Sequence, residues 1–288
     1  MNSLSRPVYF SLVALFVLTW SSAFPATKFA IATSPPLLFL AIRFLLAAGL
    51  LLGWAAARGE LRGRLPYGTL AALGMLNWAG YNGATWTGMA TISSGLSTVI
   101  CSMAPVLVAA AAVPVLGDRL SLRRAAGLAL GIAGVVFLVR NRIAFDGEDL
   151  GGVVWTVIGL VSMTAATLGF KRLSPVAPLP VVVGVQQAAA GLLLLAIGLA
   201  TEDAGAVRID TPAFWAVMGW TVGVVSIGAF SLWFVLLRRG SASDATALHF
   251  LMPPTGLAMG WLVLGETVSW LDMLAVIPIA LSIRMVTR

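Results

Sequence analysis

Between residues 77 and 86 an otherwise apolar stretch gathers the side chains with most to offer a ligand: Asn77, Trp78, Tyr81, Asn82, Thr85 and Trp86. Asn77, Tyr81 and Thr85 follow one another at four-residue spacing, with Trp78, Asn82 and Trp86 beside them, so an α-helix would carry all six on one broad face. Such a face offers ring surfaces for stacking, and amides and hydroxyls for hydrogen bonds. It supplies recognition, not a nucleophile with its base. An interfacial aromatic belt would place Trp and Tyr at the ends of the segment. Trp78 and Tyr81 fall near its middle, which favours a cavity lining, while Trp86 lies close to the outer end and fits either role.

Other candidates are scattered. Trp20, Ser21, Met163, Thr164, Gln186, Ser231 and Trp233 bring polarity or aromaticity to mid-membrane depth, and with His249 they complete the expected substrate-binding set. His249 is the single histidine. It can hydrogen-bond a substrate or a neighbour, or sense pH, but without other spaced ligands it builds no metal site. No cofactor motif is present. Lys28 and Arg43 are charges inside apolar segments; Lys28 is near enough to an end to snorkel, whereas Arg43 sits roughly 10 Å inside. An offset of 143 residues sets Gln186 opposite Arg43, making Gln186 and Gln187 its expected partners or cavity residues.

This set suits a neutral or zwitterionic small molecule whose apolar part stacks on rings. Cation-π contact would also admit organic cations. A polyanion would need more inward cations. No carboxylate lies at mid-depth to carry a proton, so the expectation is facilitated diffusion by alternating access, with proton antiport through His249 as the alternative. An enzyme is disfavoured, since there is no His-Glu-x-x-His, no Gly-x-Gly-Asp and no carboxylate pair at depth. A receptor without flux is the remaining reading from another class.

The elements that must position these residues are membrane spans. Hydrophobic residues make up 59% of the 288-residue chain and charged residues 10%, and the mean hydropathy is +0.97, outside the range of soluble domains. About ten apolar stretches are each long enough to cross a ~30 Å hydrocarbon layer: residues 8–32, 36–57, 66–89, 93–116, 121–140, 150–172, 178–200, 211–237, 242–264 and 267–286. The net charge of +7 does not mark nucleic-acid binding, because the basic residues sit in short loops. With the N-terminus on one side, that side collects Arg6, Arg58, Arg62, Arg64, Arg119, Arg123, Arg124, Lys171, Arg172, Arg238, Arg239, Arg284 and Arg288, while the other has Arg140, Arg142, Arg208 and most of the acids. By the positive-inside rule both termini are cytoplasmic. Arg6 before an apolar run also mimics a secretory signal peptide, but residues 19–29 have a counterpart at 162–172 and so belong to the body of the protein.

The chain repeats itself weakly. A shift of 148 sets Pro105 on Pro253, Gly117 on Gly265 and Ser121 on Ser269; a shift of 143 sets Lys28 on Lys171. Two halves, 1–140 and 141–288, with five spans each would have opposite orientations, an inverted repeat. Pro25, Pro105 and Pro253 each strip a helix carbonyl of its donor and are expected to be hinges. Small residues at four-residue spacing along 93–102, and Gly127, Gly131 and Gly134, read as close-packing stripes.

These residues together resemble the drug/metabolite transporter superfamily, EamA type. The resemblance is carried by Trp20 to Lys28 (WSSAFPATK), by Arg43 with Phe44 and Leu45, by the small-residue stretch ending at Pro105, by Gly117 to Ser121 (GDRLS) and by its repeat Gly265 to Ser269 (GETVS). Asn77 to Gly83 (NWAGYNG) is most similar to the YddG-like aromatic amino acid exporters. The resemblance implies an all-α integral membrane protein with ten spans in two inverted five-helix repeats. It also implies a central substrate site, export of amino acids or related metabolites, the bacterial inner membrane, and no obligatory protein partner beyond the lipid bilayer.

Overall fold

In hydrocarbon every backbone N–H and C=O must find its partner within the protein, and a helix meets that demand inside one segment. The computed structural model describes residues 6–62, 64–117, 121–173, 175–230, 232 and 252–287, and among them it is helical without strands. The elements are α1 (Arg6–Ser21), α2 (Ala23–Thr33), α3 (Pro36–Ala57), α4 (Tyr67–Gly74), α5 (Ala84–Met89), α6 (Ser94–Cys101), α7 (Ala104–Leu116), α8 (Leu122–Asp146), α9 (Leu150–Leu173), α10 (Leu179–Thr201), α11 (Pro212–Gly219), α12 (Met252–Leu264) and α13 (Trp270–Thr287). Two π-helical stretches, π1 (Met75–Gly83) and π2 (Trp220–Ala229), continue α4 and α11.

Seven of the described rods are long and apolar enough to cross a membrane: Ala14–Thr33, Pro36–Ala57, Ser94–Leu116, Leu122–Ala144, Leu150–Leu173, Leu179–Thr201 and Pro212–Ala229. The described parts of the other three expected segments are helical as well. The α4–π1–α5 rod is diluted by Asn77, Asn82 and its glycines; α12 is a shorter apolar helix; and α13 carries Asp272 and Arg284. Large apolar side chains such as Leu50, Trp54, Leu192, Leu199, Trp261 and Trp270 are exposed, as a lipid-facing surface requires.

Long antiparallel contacts hold the rods together. On α10, Gly184, Gly191 and Gly198 recur every seven residues and receive Leu52, Leu45 and Leu38 of α3; a methyl added at any of the three would lie 2.8 Å from its leucine. Backbones approach this closely only where the side chain is missing. Gly131 and Gly134 of α8 likewise face Ser282 and Ile279 of α13, so these two members of that stripe pack as expected. Two apolar clusters result, one around Phe39, Phe44, Trp78, Trp86 and Phe214, the other around Leu96, Ile100, Leu138 and Ile279.

Carboxylates fasten the end at which α2 runs into α3. Glu202 accepts from the N–H groups of Leu37 and Leu38 at the start of α3 (3.0 and 2.9 Å). Glu266 does the same for Ser94 and Gly95 of α6 (2.7 and 2.9 Å), and Glu148 takes the N–H of Ser93 at 2.8 Å. Free amides and the positive pole of a helix N-terminus both favour an anion there.

Candidate substrate site

Two helix breaks meet around a cavity. Pro25 has no N–H to give the carbonyl of Ser21, and the rod parts there into α1 and α2; Pro105 does the same to Cys101, and α6 ends at Cys101 with α7 beginning at Ala104. Trp20 and Phe24 flank the first break. Cys101, Ser102 and Ala104 flank the second. With Tyr81, Thr98, Met163 and Met252 they line about 330 Å³ of empty space, mouth included. The break at Ser22 is held from outside, since Trp220 Nε1 donates to Ser22 Oγ at 3.1 Å and the hydroxyls of Ser21 and Thr255 are 2.9 Å apart.

Tyr81 reaches the cavity through π1. A π turn holds more residues than an α turn, so side chains four apart no longer stack in line. Ser162 of α9 donates to the Leu76 carbonyl at 2.9 Å and supports the widened stretch. The single six-residue face expected from sequence is therefore split. Tyr81 faces the cavity and the thiol of Cys101. Trp78 turns away, donating Nε1 to Gln186 Oε1 at 3.2 Å and packing on Phe44 and Phe230 (ring centroids 5.3 and 4.3 Å). Thr85 is buried against Gly159 of α9. Trp86 is buried and stacked on Phe39 at 5.7 Å, which removes it from any interfacial belt. Asn77 and Asn82 are half-buried and line neither cavity.

Of the other candidates, Trp20 and Met163 line the cavity. Ser21 is fully buried at the break, with Thr255 as its partner. Thr164 spends its hydroxyl on the Leu160 carbonyl of its own helix at 2.9 Å and stands apart. Pro253 opens α12. Ser231, Trp233 and His249 lie outside the described residues. The Lys28 Nζ donates to the Met89 carbonyl at 2.6 Å, near Glu266 and Glu148. Arg43 does not pair with Gln186 or Gln187. Its Nε donates to Ser226 Oγ of π2 at 3.0 Å.

Sequence reasoning missed Phe24, Thr98, Ser102, Met252, Ser226 and Phe230. Thr98 and Ser102 belong to the stripe read as packing, and Thr98 does pack on Gly256 of α12; one helix face serves both purposes. Phe230 joins Trp20 and Trp78 (centroids 5.0 and 4.3 Å) into an aromatic wall. Beyond it lies a second crevice, about 300 Å³ with its open mouth included, lined by Leu51, Val183, Ser226, Ile227 and Phe230 among others.

Membrane-length apolar rods that enclose, at their breaks, a small chamber of rings, hydroxyls and a thiol define a transporter of small molecules. Comparison with known proteins agrees. The EamA-like transporter family matches residues 8–140 and 150–288, and the chain belongs to this family, within the drug/metabolite transporter superfamily. It is similar to the uncharacterized transporter YvbV of Bacillus subtilis (28% identical, covering 88% of this chain and 83% of that one). It is also similar to the uncharacterized inner membrane transporter YedA of Escherichia coli K12 (26% identical, 98% and 90%). A probable amino-acid metabolite efflux pump of Salmonella typhimurium is 24% identical over 91% of this chain and 89% of its own length. A crystal structure superposes with a TM-score of 0.67 over 98% of both chains at 21% identity, a likeness of fold.

Proposed function

We propose that the protein exports amino acids, aromatic and other neutral ones above all, across the bacterial inner membrane by facilitated diffusion. The observation that carries this reading is the cavity between the two helix breaks. Trp20, Phe24 and Tyr81 offer rings to an apolar side chain, and Thr98, Ser102 and the freed carbonyls of Ser21 and Cys101 offer partners to amino and carboxyl groups. The Salmonella relative's description as an amino-acid metabolite efflux pump supports the substrate class, and the inner-membrane relative supports the location.

In this reading ten spans form two inverted halves, 1–140 and 141–288, with both termini cytoplasmic. The two stretches matched by the family, the paired π-helical segments and the left-handed glycines Gly117 and Gly265 after α7 and α12 all favour the duplication. Pro25, Pro105 and Pro253 act as hinges while the halves rock about the cavity.

The test is counterflow. Proteoliposomes preloaded with unlabelled phenylalanine take up labelled phenylalanine saturably, Trp20→Ala and Tyr81→Ala lower the rate at least about tenfold, and an imposed pH gradient drives no accumulation. Absence of saturable counterflow for every neutral amino acid would reject the substrate class, and accumulation on the pH gradient would reject facilitated diffusion.

A further inference from the structure

One short helix joins the cavity to the fastened end of the molecule. Helix α6 starts at Ser94 and ends at Cys101, which lines the cavity, so about 10 Å of helix separates the two. The carboxylates that grip its start all come from beyond residue 140. Glu266 takes the Ser94 and Gly95 amides, Glu148 the Ser93 amide, and Asp149 accepts from the Thr91 hydroxyl at 3.0 Å. Lys28 of α2, bonded to the Met89 carbonyl, supplies a cation near Glu266 and Glu148. Helix α12 closes the seam, with Gly256 against Thr98 and Gly260 against Ser94 and Glu266; missing side chains let the two helices touch there.

Three hydroxyls are stranded behind this clasp. Ser94 and Ser97 are wholly buried, and Thr85 is 3% exposed. Among the described residues the Ser94 hydroxyl has no hydrogen-bond partner, and those of Ser97 and Thr85 have only the weakly polar Cys101 thiol beside them. Their neighbours Thr98 and Ser102 do what helical hydroxyls commonly do, donating to the Ser94 and Val99 carbonyls of their own helix at 2.8 and 2.6 Å. Ser94, Ser97 and Cys101, three and four residues apart, share one face of α6. That face runs from the clasp to the cavity. Unpartnered hydroxyls along it are costly while it stays dry, and a state in which it is wet satisfies them.

We propose that the clasp on α6 is the closed outer gate of the transporter, and that the substrate leaves the cavity along the face that carries Cys101, Ser97 and Ser94. The inference rests on the transport reading given above, with both termini cytoplasmic, which puts this end of the molecule outside. Opening frees the α6 amides from Glu266 and Glu148 and parts Gly256 and Gly260 from Thr98 and Ser94. Water and the polar groups of the substrate then meet the Ser94, Ser97 and Thr85 hydroxyls.

Cys101 is the single cysteine of the chain, so the full-length protein carries its own probe. In right-side-out membrane vesicles a membrane-impermeant thiol reagent, trimethylammonium-ethyl methanethiosulfonate, is added outside. The wild type is expected to react slowly. Glu266→Ala, which releases the start of α6, should raise the labelling rate about 5- to 30-fold, the population shift that a lost helix cap allows. A cross-link should do the opposite: in a Cys101→Ser background, Thr91→Cys joined to Asp149→Cys stops phenylalanine counterflow, and a reductant restores it. Equal labelling of wild type and Glu266→Ala, or release toward the cytoplasmic face alone, would overturn the proposal. Should Glu266→Ala fail to fold, Glu266→Gln is expected to give a smaller rise, and the same labelling decides. Labelling needs no substrate, so a rise in Glu266→Ala without counterflow of any neutral amino acid would keep the gate and reject the substrate class. Phenylalanine counterflow that persists in the cross-linked protein would keep the substrate and reject the gate.

Discussion

Arg142 and Asp272 form a bidentate ion pair sealed inside the protein, Nε to Oδ1 at 2.9 Å and Nη2 to Oδ2 at 2.7 Å, tying the end of α8 to the start of α13. Asp272 also accepts from the backbone N–H of Ser269 at 2.7 Å. Losing either partner takes away the close counter-charge of the other, and Arg142→Ala or Asp272→Asn is expected to cost about 3–5 kcal/mol. The paired apolar replacement, Arg142→Met with Asp272→Leu, is expected to recover most of that loss, because it removes both desolvation penalties. Thermal unfolding of the purified variants in detergent checks both statements. A double variant no better than the singles would show that the pair is needed for more than mutual neutralisation.

Gly74 of α4 lies against the backbone of α10. A Cβ there would come within 2.5 Å of the Gln186 Cα and closer still to the Gln186 carbonyl oxygen, and backbone cannot rotate aside as a side chain can. Gly74→Ala should therefore force α4 from α10 at a cost of about 1–3 kcal/mol. Gly53 is the control. Nothing stands within 4 Å of its would-be Cβ, so Gly53→Ala should be neutral or gain up to about 1 kcal/mol from helix propensity. Melting temperatures of the two variants moving together would contradict the argument.

Much of the frame is readable in residue types. The GDRLS and GETVS runs each place a glycine where the helix ends in left-handed backbone, Gly117 at φ 74° and Gly265 at φ 68°, and Ser121 then caps the next helix by accepting from the Arg124 N–H. Pro25 and Pro105 mark the helix breaks because a missing N–H is a local fact. What could not be read depends on register and on partners distant in sequence. Nothing in residues 75–83 announces a π-helix, and that widening is what separates Trp78 from Tyr81. The glycines at 184, 191 and 198 are visible, but joining them to Leu52, Leu45 and Leu38 requires the antiparallel alignment of α3 and α10. Ser226 is one hydroxyl among many until π2 brings it to Arg43.

Glu266 holds the start of α6 through two backbone amides and lies near the Lys28 ammonium. Glu266→Ala should cost about 1–2 kcal/mol, the range of a lost helix cap. Glu266→Gln, which keeps one acceptor oxygen but not the charge, should cost less. Faster hydrogen exchange at Ser94 and Gly95 in the alanine variant would locate the loss at this helix end; unchanged exchange there would refute it.

Asp149, exposed just before α9, shows how pH should act at this end. The Gly152 N–H at 2.8 Å and then the Thr91 hydroxyl at 3.0 Å hold its carboxyl below the usual aspartate range. A depressed folded-state pKa adds stability that is complete above the unfolded value, near 3.9, and is lost as pH falls through the folded value. The stability difference between wild type and Asp149→Ala should therefore be constant from neutral pH down to about 4 and fade only below it. A difference already gone at about pH 5 would mean that the carboxylate is not held as described.

Tyr81 and Thr164 separate cavity lining from packing in a transport assay. Both are polar residues in apolar segments, and both are candidates for the site on sequence grounds. Tyr81 faces the chamber from π1, whereas the Thr164 hydroxyl is already satisfied by Leu160 one turn back. Loss of the ring in Tyr81→Ala enlarges the chamber and removes its stacking surface, so substrate affinity should fall at least about tenfold, within the 1–3 kcal/mol that a lost aromatic contact commands. Tyr81→Phe keeps the ring and should retain most of the affinity, with the remaining loss reporting the phenol. Thr164→Ala gives up only a bond within its own helix and should transport at the wild-type rate. Equal loss in Thr164→Ala and Tyr81→Ala, measured by counterflow at matched protein density, would place the substrate path along α9 instead of between the helix breaks.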